Sequence, residues 1–378
     1  MYGEDEDKTC VKVHSITKYA ALLLGFAAMC ALFVWVSLPA KVDPLLPLIR
    51  VSSLPKERQL APGSSNRLVL VGDVHGMQKE FRQLLKKLDF DADTDQLVLL
   101  GDFISKGPHS LGIIEDAIRW NAACVRGNHE DDVLALYAKL RDIDEPVTYP
   151  PRALVAEATF GSPVTATLTP TEGEEWKQPE STLAAAANLK NSRDAESNDG
   201  DSTMDDLLQM LSESQIDINK INEKRDKGLA LLLEHRHLRF LEKCPAILKL
   251  GQVKTKGGQG VAVHGGLMWN EPDLEEQRPE VIFRLRGLMP PDFEVPSETD
   301  GAAWAPVWND KQSEIAEPKD TLTVFYGHDA SRGLKVRKYT KGIDSRCVRG
   351  GKLTALVLSM SKHGKVSQEL YQVDCDAY

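Results

Sequence analysis

Cysteine is scarce in this sequence, with six residues in 378, and no two have the Cys-x-x-Cys spacing that is typical of a zinc ribbon or finger. The chain also has no Asn-x-Ser/Thr acceptor, so no N-glycan marks any part of it as luminal. Only one long hydrophobic run is present, near the amino terminus. Apolar residues make up 42% and charged residues 27% of the chain, which is the ordinary balance of a globular protein.

Two cysteines lie in the first 30 residues and four lie further on: Cys124, Cys244, Cys347 and Cys375. Cys347 and Cys375 flank the last predicted strands. A disulfide between them in an oxidising compartment and two buried free thiols are both compatible with the sequence. Cysteine usage therefore does not fix the compartment.

Five short motifs follow one another along the chain, and each carries side chains that bind metal. The candidate ligands are two aspartates, one asparagine and three histidines: Asp73, His75, Asp102, Asn128, His264 and His328. Carboxylate and imidazole suit zinc, manganese and iron, and an asparagine carbonyl adds a ligand without adding charge. Two metals roughly 3.5–4 Å apart can clamp the attacking and leaving oxygens of an in-line displacement and activate a water. The motifs therefore predict a dimetal centre that hydrolyses phosphate bonds.

The motifs directly follow apolar runs that are typical of buried strands. Four such runs are residues 67–71, 96–100, 261–263 and 322–326. Because open α/β sheets bind ligands beyond the carboxyl ends of their strands, we expect the motif side chains to meet there. Apolar residues at helical spacing predict intervening helices over residues 77–90, 109–120, 130–140 and 229–241.

This motif set resembles that of the PPP branch of the calcineurin-like metallophosphatases. The resemblance runs from about Arg67 to Tyr378 and is interrupted by one insertion. It implies an α/β fold, a β-sandwich of two mixed sheets flanked by helices.

The same resemblance implies a role for each motif side chain. One metal would be held by Asp73, His75 and His328. The other would be held by Asn128 and His264, with Asp102 bridging the two metals. His129 would protonate the leaving oxygen, which suits an imidazole near neutral pH.

The motif at residues 101–107 departs from the protein Ser/Thr phosphatases of this branch. Those enzymes have an aspartate that orients the catalytic histidine where this chain has Ser105, and a phosphate-clamping arginine where it has Lys106. Serine accepts a hydrogen bond but brings no charge, so we expect His129 to be a weaker base. Lysine binds phosphate as a point charge and not as a bidentate fork. Such a site should suit a flexible, repetitive anion better than one phosphoserine.

Residues 327–334 and 342–356 resemble the bacterial-type branch of the superfamily, which includes diadenosine tetraphosphate hydrolases. Together with Ser105, Lys106 and the amino-terminal hydrophobic run, they make the chain similar to the fungal vacuolar zinc-dependent endopolyphosphatases. That resemblance implies hydrolysis of internal phosphoanhydride bonds in inorganic polyphosphate. It also implies two divalent metal ions, with zinc expected first and cobalt, manganese or magnesium as alternatives.

The hydrophobic run at residues 19–40 is uncharged over about 22 residues, which is enough to span a bilayer. Lysines precede it, so the positive-inside rule places residues 1–18 in the cytosol and the remaining chain on the other side. A cleaved signal peptide is the alternative. The resemblance adds a single-pass anchor in the vacuole membrane with the catalytic domain in the lumen.

Beyond this anchor, we expect a stalk at residues 41–66 and a metallophosphatase domain at residues 67–378. Residues from about 146 to 220 are rich in Thr, Ser, Glu, Asp and Ala with little periodicity, which predicts a partly disordered insertion. Residues 152–220 contain 13 acidic and 5 basic side chains, a net charge of −8 within a total of −10. The insertion is therefore acidic.

The last part of the chain is basic. Residues 321–378 carry 10 basic and 5 acidic side chains, a net charge of +5, and the first of the basic ones follows His328 by four residues. A positive rim beside the dimetal site would attract a long anion. Lys106, Arg126 and Arg332 are the predicted substrate contacts, although Arg126 could instead brace its loop. No specific nucleic acid partner is expected, because any polyanion could occupy such a rim, and the sequence indicates no oligomeric state.

Two other functions compete with a polyphosphatase. A protein Ser/Thr phosphatase or dinucleoside polyphosphate hydrolase is the first, and the nucleotide substrate would need aromatic stacking near the metals, from Phe103 or Trp304. A non-catalytic, membrane-tethered polyanion-binding protein is the second. That function predicts lost metal ligands, and none is lost.

Overall fold

The computed structural model describes residues 45–143, 221–255 and 257–378. The described strands are β1 (Val51–Ser53), β2 (Arg67–Val71), β3 (Asp95–Leu99), β4 (Ala123–Cys124), β5 (Ile247–Gln252), β6 (Gln259–Ala262), β7 (Gly287–Met289), β8 (Val295–Ser297), β9 (Ala302–Ala303), β10 (Leu322–Tyr326), β11 (Lys335–Val336), β12 (Thr340–Gly342), β13 (Lys352–Met360) and β14 (Val366–Asp374). The described helices are α1 (Gln78–Lys87), α2 (Ser110–Arg119), α3 (Asn128–Leu140), α4 (Ile221–Leu232), α5 (His235–Lys243), α6 (Pro279–Ile282) and α7 (Trp304–Ser313).

These strands form two mixed sheets and one small sheet. The first, sheet A, has the order β1-β5-β6-β10-β12-β11, and the second, sheet B, has the order β14-β13-β2-β3-β4. In sheet A, β6, β10 and β12 are mutually parallel, and in sheet B the parallel strands are β2, β3 and β4. Strands β8, β7 and β9 form the small antiparallel sheet. The predicted α/β fold with two mixed sheets is confirmed.

Apolar residues of both large sheets pack against each other to form the centre of the sandwich. Leu68, Leu70 and Val98 of sheet B share this cluster with Leu250 and Phe325 of sheet A. A second cluster covers the outer face of sheet B with α1, α2, α3, α4 and α5, and a third joins sheet A to α6 and α7. The central strands of each sheet are therefore buried on both faces, which explains why they are runs of apolar residues rather than alternating ones.

The prediction of a stalk is wrong for residues 45–66, the part of it that the structure describes. Val51–Ser53 pairs in parallel with Ile247–Lys249 as the edge strand of sheet A. Leu54 and Leu60 are buried in the central cluster. Residues from Leu45 onward therefore belong to the same compact unit as the rest of the described chain.

The helix predicted over residues 229–241 is two helices in the structure, α4 and α5. Glu234 between them has an extended backbone, with φ −84° and ψ 166°, and its N–H donates to Nδ1 of His237 at 3.1 Å. This cap starts a new helix in the middle of a continuous apolar pattern.

Two disulfides join distant parts of the described chain. Cys347 and Cys375 form the bridge that the sequence left open. A second bridge joins Cys124, at the end of β4, to Cys244, immediately after α5. No spacing signal predicts this second pair, because its members lie 120 residues apart.

The predicted anchor at residues 19–40 and the predicted acidic insertion at about residues 146–220 both lie outside the described residues. None of the helices that the structure describes has the length and apolar character needed to cross a bilayer.

Candidate metal centre

The predicted ligands lie together where strands of both sheets end. Sheet B contributes Asp73, Asp102 and Asn128 after β2, β3 and β4, and sheet A contributes His264 and His328 after β6 and β10. All of these side chains are buried. The central parallel strands of the two sheets thus converge on one site, as the motif positions predicted.

Backbone strain is concentrated in these motifs. His75, Asp102 and His328 have φ values of 47°, 48° and 65°, in the left-handed region that residues other than glycine rarely adopt. The neighbouring Ser105 and Lys106 share this conformation, with φ values of 66° and 62°. Such strain persists only where the surrounding structure fixes the backbone, and it is common at functional sites.

One group of donor atoms surrounds His264. Its Nε2 lies 3.2 Å from Asp102 Oδ1, 3.1 Å from Asn128 Oδ1 and 3.2 Å from His328 Nδ1. Four ligands placed tetrahedrally about a zinc ion, with bonds near 2.1 Å, are about 3.4 Å apart. The group therefore has the spacing of one metal site, and it contains the buried trio Asp102, His264 and His328.

This grouping corrects the expected partition of ligands. The resemblance placed His328 with Asp73 and His75, but the His328 ring lies against His264 instead. Asp73 meets only the backbone of His328, accepting its N–H at 3.0 Å and 3.2 Å with the two carboxylate oxygens.

A second group of donor atoms surrounds His75. Its Nε2 lies 3.9 Å from Asp73 Oδ2 and 3.8 Å from Asp102 Oδ2. The ammonium of Lys106 lies 2.8 Å from the same Nε2. A cation thus already occupies the position that a metal would take, and Asp102 contributes one oxygen to each group. The buried carboxylates and imidazoles fit two divalent ions that share Asp102.

The second nitrogen of each ligand histidine faces a backbone carbonyl. His75 Nδ1 lies 3.2 Å from the Ile104 carbonyl, and His264 Nδ1 lies 2.8 Å from that of Leu100. In His328 the arrangement is reversed, with Nε2 lying 3.2 Å from the Arg284 carbonyl. Each carbonyl orients its ring so that the other nitrogen is the one that would bind a metal.

Charge within the group shifts the pKa values of its members. Burial alone would raise the pKa of the Asp102 carboxyl, but the neighbouring His264 and His129 outweigh it and hold that pKa well below its usual range. Burial likewise lowers the pKa of His264, yet Asp102 more than offsets it and raises that pKa to about 9. The pKa of Asp73 is raised by burial and by the nearby Asp344. A buried site with three carboxyl groups is therefore strongly attractive to cations.

Glu130 holds the two central loops of the site together, a role that sequence reasoning missed although the residue completes the Gly-Asn-His-Glu motif. Its Oε2 accepts the N–H groups of Asp102 at 2.7 Å and Gly127 at 2.9 Å. Its Oε1 accepts those of Phe103 at 3.0 Å and Ile104 at 3.2 Å. The side chain is fully buried, so these four donors have this carboxylate in place of water.

Glycine at position 127 allows this close approach. A Cβ there would lie 2.4 Å from both the nitrogen and Oδ1 of Asp102. The backbone of the Asn128 loop can therefore pass directly against the bridging aspartate only because no side chain intervenes.

His129 lies at the edge of both groups. Its Nε2 is 3.8 Å from Asp102 Oδ2, and its backbone N–H donates to Asp102 Oδ1 at 3.0 Å. Its Nδ1 is buried without a hydrogen-bond partner among the described residues, so the contact expected from Ser105 is not made. Burial lowers the pKa of His129, which favours the neutral imidazole. Its lack of a carbonyl partner sets it apart from the three ligand histidines.

The metal-binding groups form the floor of an open cavity of about 260 Å³. Its lining includes four basic side chains, Lys106, Arg286, Arg346 and Arg349. It also includes Asp344, a buried carboxyl just beyond β12 that the sequence analysis did not single out. No apolar run precedes Asp344, because the strand before it is Thr-Lys-Gly, so the strand-end pattern did not reveal it.

Of the three predicted substrate contacts, only Lys106 lines the cavity. Arg126 is buried with its Nη1 3.6 Å from Asp131, which matches the alternative role of a loop brace. Arg332 forms an ion pair with Asp329 at 2.7 Å. Arg346 and Arg349 were in the predicted basic set, and neither forms an ion pair with any described residue; Arg286 was missed.

The aromatic residues that could have stacked on a nucleotide base lie elsewhere. Phe103 is buried against Phe240, and Trp304 is buried against Trp308 and Tyr326 in the cluster outside sheet A. No aromatic side chain of the described residues lines the cavity.

Comparison with known proteins shows similarity to metal-dependent phosphoesterases. Residues 66–237 match the family model described as calcineurin-like phosphoesterase. The chain is 26% identical to the zinc-dependent endopolyphosphatase of Saccharomyces cerevisiae over 384 aligned positions, which cover 98% of this chain and 99% of the yeast protein. It is 40% identical to a symmetrical bis(5'-nucleosyl)-tetraphosphatase of Wigglesworthia glossinidia brevipalpis over only 78 residues, 20% of this chain and 29% of that one.

A solved structure described as a diadenosine tetraphosphatase shares the fold. Its TM-score is 0.51 at 22% identity, and the match covers 86% of this chain and 98% of that one. Fold, motif order and converging ligands agree with one another. Residues 66–237 thus match the calcineurin-like phosphoesterase model, and the fold and the ligand arrangement agree with that match.

Proposed function

We propose that this protein is a metal-dependent endopolyphosphatase that hydrolyses internal phosphoanhydride bonds of inorganic polyphosphate, with zinc as the expected metal. The observation that carries this proposal is the cavity lining. Metal-binding carboxylates and imidazoles form its floor, four cations surround them, and no aromatic residue among the described ones is present. Polyphosphate carries charge at every unit and has no base to stack. The similarity to the yeast enzyme over nearly the whole length of both chains supports the same substrate.

In this proposal the two metals have separate ligand sets that share one residue. We assign Asp73, His75 and Asp102 to the first metal. Asp102, Asn128, His264 and His328 would hold the second. When bound, two such ions supply an activated water and neutralise charge on the phosphate oxygens.

The protein's own side chains would hold the substrate and move a proton. Lys106 Nζ lies 2.8 Å from His75 Nε2 and Lys106 lines the cavity, where its ammonium would contact a phosphate oxygen. Arg346 and Arg349 would bind neighbouring phosphates of the chain, because arginine matches phosphate geometry with two donors. His129 would give a proton to the leaving phosphate through Nε2. That leaving group needs little help, which is compatible with an imidazole whose Nδ1 has no orienting partner.

The competing nucleotide substrate has weaker support. A dinucleoside polyphosphate would require an aromatic platform beside the metals, and the two candidates, Phe103 and Trp304, are buried in apolar clusters. The nucleotidase relatives also match only a short segment.

We also propose that the domain faces the vacuole lumen from a single-pass anchor at residues 19–40. The two disulfides of the described chain support a compartment outside the cytosol, because cytosolic thiols are kept reduced. Protease treatment of intact vacuoles tests this: an epitope at the carboxyl terminus should be protected until the membrane is lysed. Digestion before lysis would contradict the proposed orientation.

The activity is tested with residues 45–378, because a later start would remove β1 from sheet A. The protein is stripped with chelator, reloaded with zinc, cobalt, manganese or magnesium, and incubated with long-chain polyphosphate, and the products are resolved on a gel. A metal-dependent shift to intermediate chain lengths is expected. Asp102→Asn should abolish the shift, and Asp93→Asn, an exposed change of the same kind, should not. Hydrolysis of a dinucleoside tetraphosphate with polyphosphate left intact would overturn the proposed substrate.

A further inference from the structure

The basic carboxy-terminal part of the chain is divided between the two ends of sheet A. Of its ten lysines and arginines, only Arg346 and Arg349 line the cavity. Strands β6, β10 and β12 are parallel and have their carboxyl ends at the metal centre, so their amino ends lie at the opposite end of the sheet. Tyr339 immediately precedes β12, and Lys254 lies in the connection from β5 to β6. Both are therefore remote from the cavity.

Three lysines gather around Tyr339 at this remote end, and we call them the far-end lysine cluster: Lys254, Lys338 and Lys341. Lys254 Nζ lies 3.4 Å and Lys338 Nζ 4.7 Å from the centroid of the Tyr339 ring. Lys341, two residues after Tyr339, is buried, and its ammonium donates to the Arg337 carbonyl. The backbone of Tyr339 is held in place, because its N–H donates to Asn309 Oδ1 at 2.7 Å.

No carboxylate of the described chain compensates this charge. None of the three lysines forms an ion pair with a described residue. Burial, followed by the charges of Lys341 and Lys338, lowers the pKa of Lys254 to about 8, and no acidic group opposes the shift. The pKa of Lys341 is also lowered by burial. Holding like charges together in a partly buried place costs free energy that a bound anion would recover.

Further basic residues border the same end. The backbone N–H of Val366 donates to Thr255 Oγ1 at 3.1 Å, which ties the turn between β13 and β14 to the hairpin that carries Lys254. That turn contributes the exposed Lys362 and Lys365. The far-end lysine cluster thus has further exposed lysines beside it at the same end of the molecule.

We propose that the far-end lysine cluster is a second anion site, separate from the metal centre, that binds a stretch of condensed phosphate chain. Lysine ammonium groups are compact point charges that suit phosphate oxygens without demanding one geometry. Two of them on one ring are close enough for a short run of linked phosphates to reach both. The site would retain a long substrate while the metal centre cuts it, raising the local concentration of uncut chain. This role rests on the proposed function, whereas the binding itself does not.

The binding test uses metal-free protein and tripolyphosphate in isothermal titration calorimetry. The parent protein should bind at two sites, one in the cavity and one at the far end. Lys254→Gln/Lys338→Gln should remove one site or weaken it about tenfold, whereas Arg346→Gln/Arg349→Gln should affect only the other. Lys86→Gln/Lys243→Gln removes the same charge from two exposed helical lysines elsewhere and should change neither site. Thermal melting verifies that each variant is folded.

Hydrolysis separates this inference from the proposed function. Lys254→Gln/Lys338→Gln should leave kcat and KM for tripolyphosphate unchanged while raising KM for long-chain polyphosphate about threefold or more. Equal tripolyphosphate stoichiometry and affinity in parent and double variant would overturn the second site. If the site is lost in the variant but no protein form cleaves polyphosphate, the second site stands and the proposed activity fails.

Discussion

Replacing Glu130 by glutamine tests whether one buried carboxylate holds the metal centre in shape. The two oxygens of Glu130 accept four backbone N–H groups, from Asp102, Phe103, Ile104 and Gly127, at 2.7–3.2 Å. Glutamine keeps the size of the side chain but turns one oxygen into an NH₂ group. Two of the four N–H donors would then face another donor.

The expected loss of unfolding free energy follows from the two N–H groups that would lose their acceptor. A buried donor without an acceptor costs about 1–3 kcal/mol, so two of them cost about 2–6 kcal/mol before relaxation. We expect Glu130→Gln to lower the free energy of unfolding by about 2–4 kcal/mol. The same donors position Asp102, the residue that both metal groups share, so zinc affinity should fall about 10–100-fold.

The stability assay is urea unfolding of chelator-treated residues 45–378 with their disulfides intact, and zinc titration of the same samples gives the affinity. Glu314→Gln is the matched control, because that carboxylate is 68% exposed and its 3.7 Å pair with Lys311 is worth less than about 1 kcal/mol. A free energy of unfolding within about 0.5 kcal/mol of the parent value, together with an unchanged zinc affinity, would refute this role of Glu130.

Arg346→Gln/Arg349→Gln should raise KM for long-chain polyphosphate about tenfold. The same double change should alter kcat for p-nitrophenyl phosphate less than twofold, since that substrate needs only one phosphate site. Equal effects on both substrates would contradict these contacts. Burial raises the pKa of the Asp226 carboxyl to about 6. The folded protein therefore binds the proton of this carboxyl more tightly than the unfolded chain does, and it loses stability as pH rises from about 4 to 6. Asp226→Asn should therefore stabilise the protein at pH 7.5, by up to about 3 kcal/mol in urea unfolding, and an unchanged pH profile would count against it. Cys347→Ser/Cys375→Ser, which leaves the Cys124–Cys244 bridge intact, should loosen the loop carrying both arginines. In steady-state kinetics this variant should have a raised KM for polyphosphate with kcat retained; loss of kcat with unchanged KM would argue otherwise.

Four of the six candidate metal ligands were predictable because each is the first polar group after an apolar strand. Asp73, Asp102, His264 and His328 all follow runs that the structure shows as strands, and parallel strands bring their carboxyl ends together. The order of the motifs did not predict which ligands would share a metal. The His328 ring turns toward His264 because its Nε2 faces the Arg284 carbonyl, a contact between residues 44 positions apart.

The substrate contacts were less predictable. The sequence pattern does not distinguish Arg126, Arg332 and Arg349, because each is a basic residue near a motif. Tertiary contacts separate them, since Asp131 lies near the first, Asp329 binds the second, and the third reaches the cavity. Basic composition likewise predicted one positive rim, whereas the parallel strands of sheet A divide those charges between its two ends.

The sequence by itself determined the fold class, the motif order and the ligand set, because apolar strand runs and the polar residues that end them are local features. The tertiary structure decided which nitrogen of each histidine is available, which arginines are unpaired, and where residues 45–66 and the Cys124–Cys244 bridge belong. These properties depend on contacts between residues far apart in the chain, and no local pattern encodes the partner of a side chain.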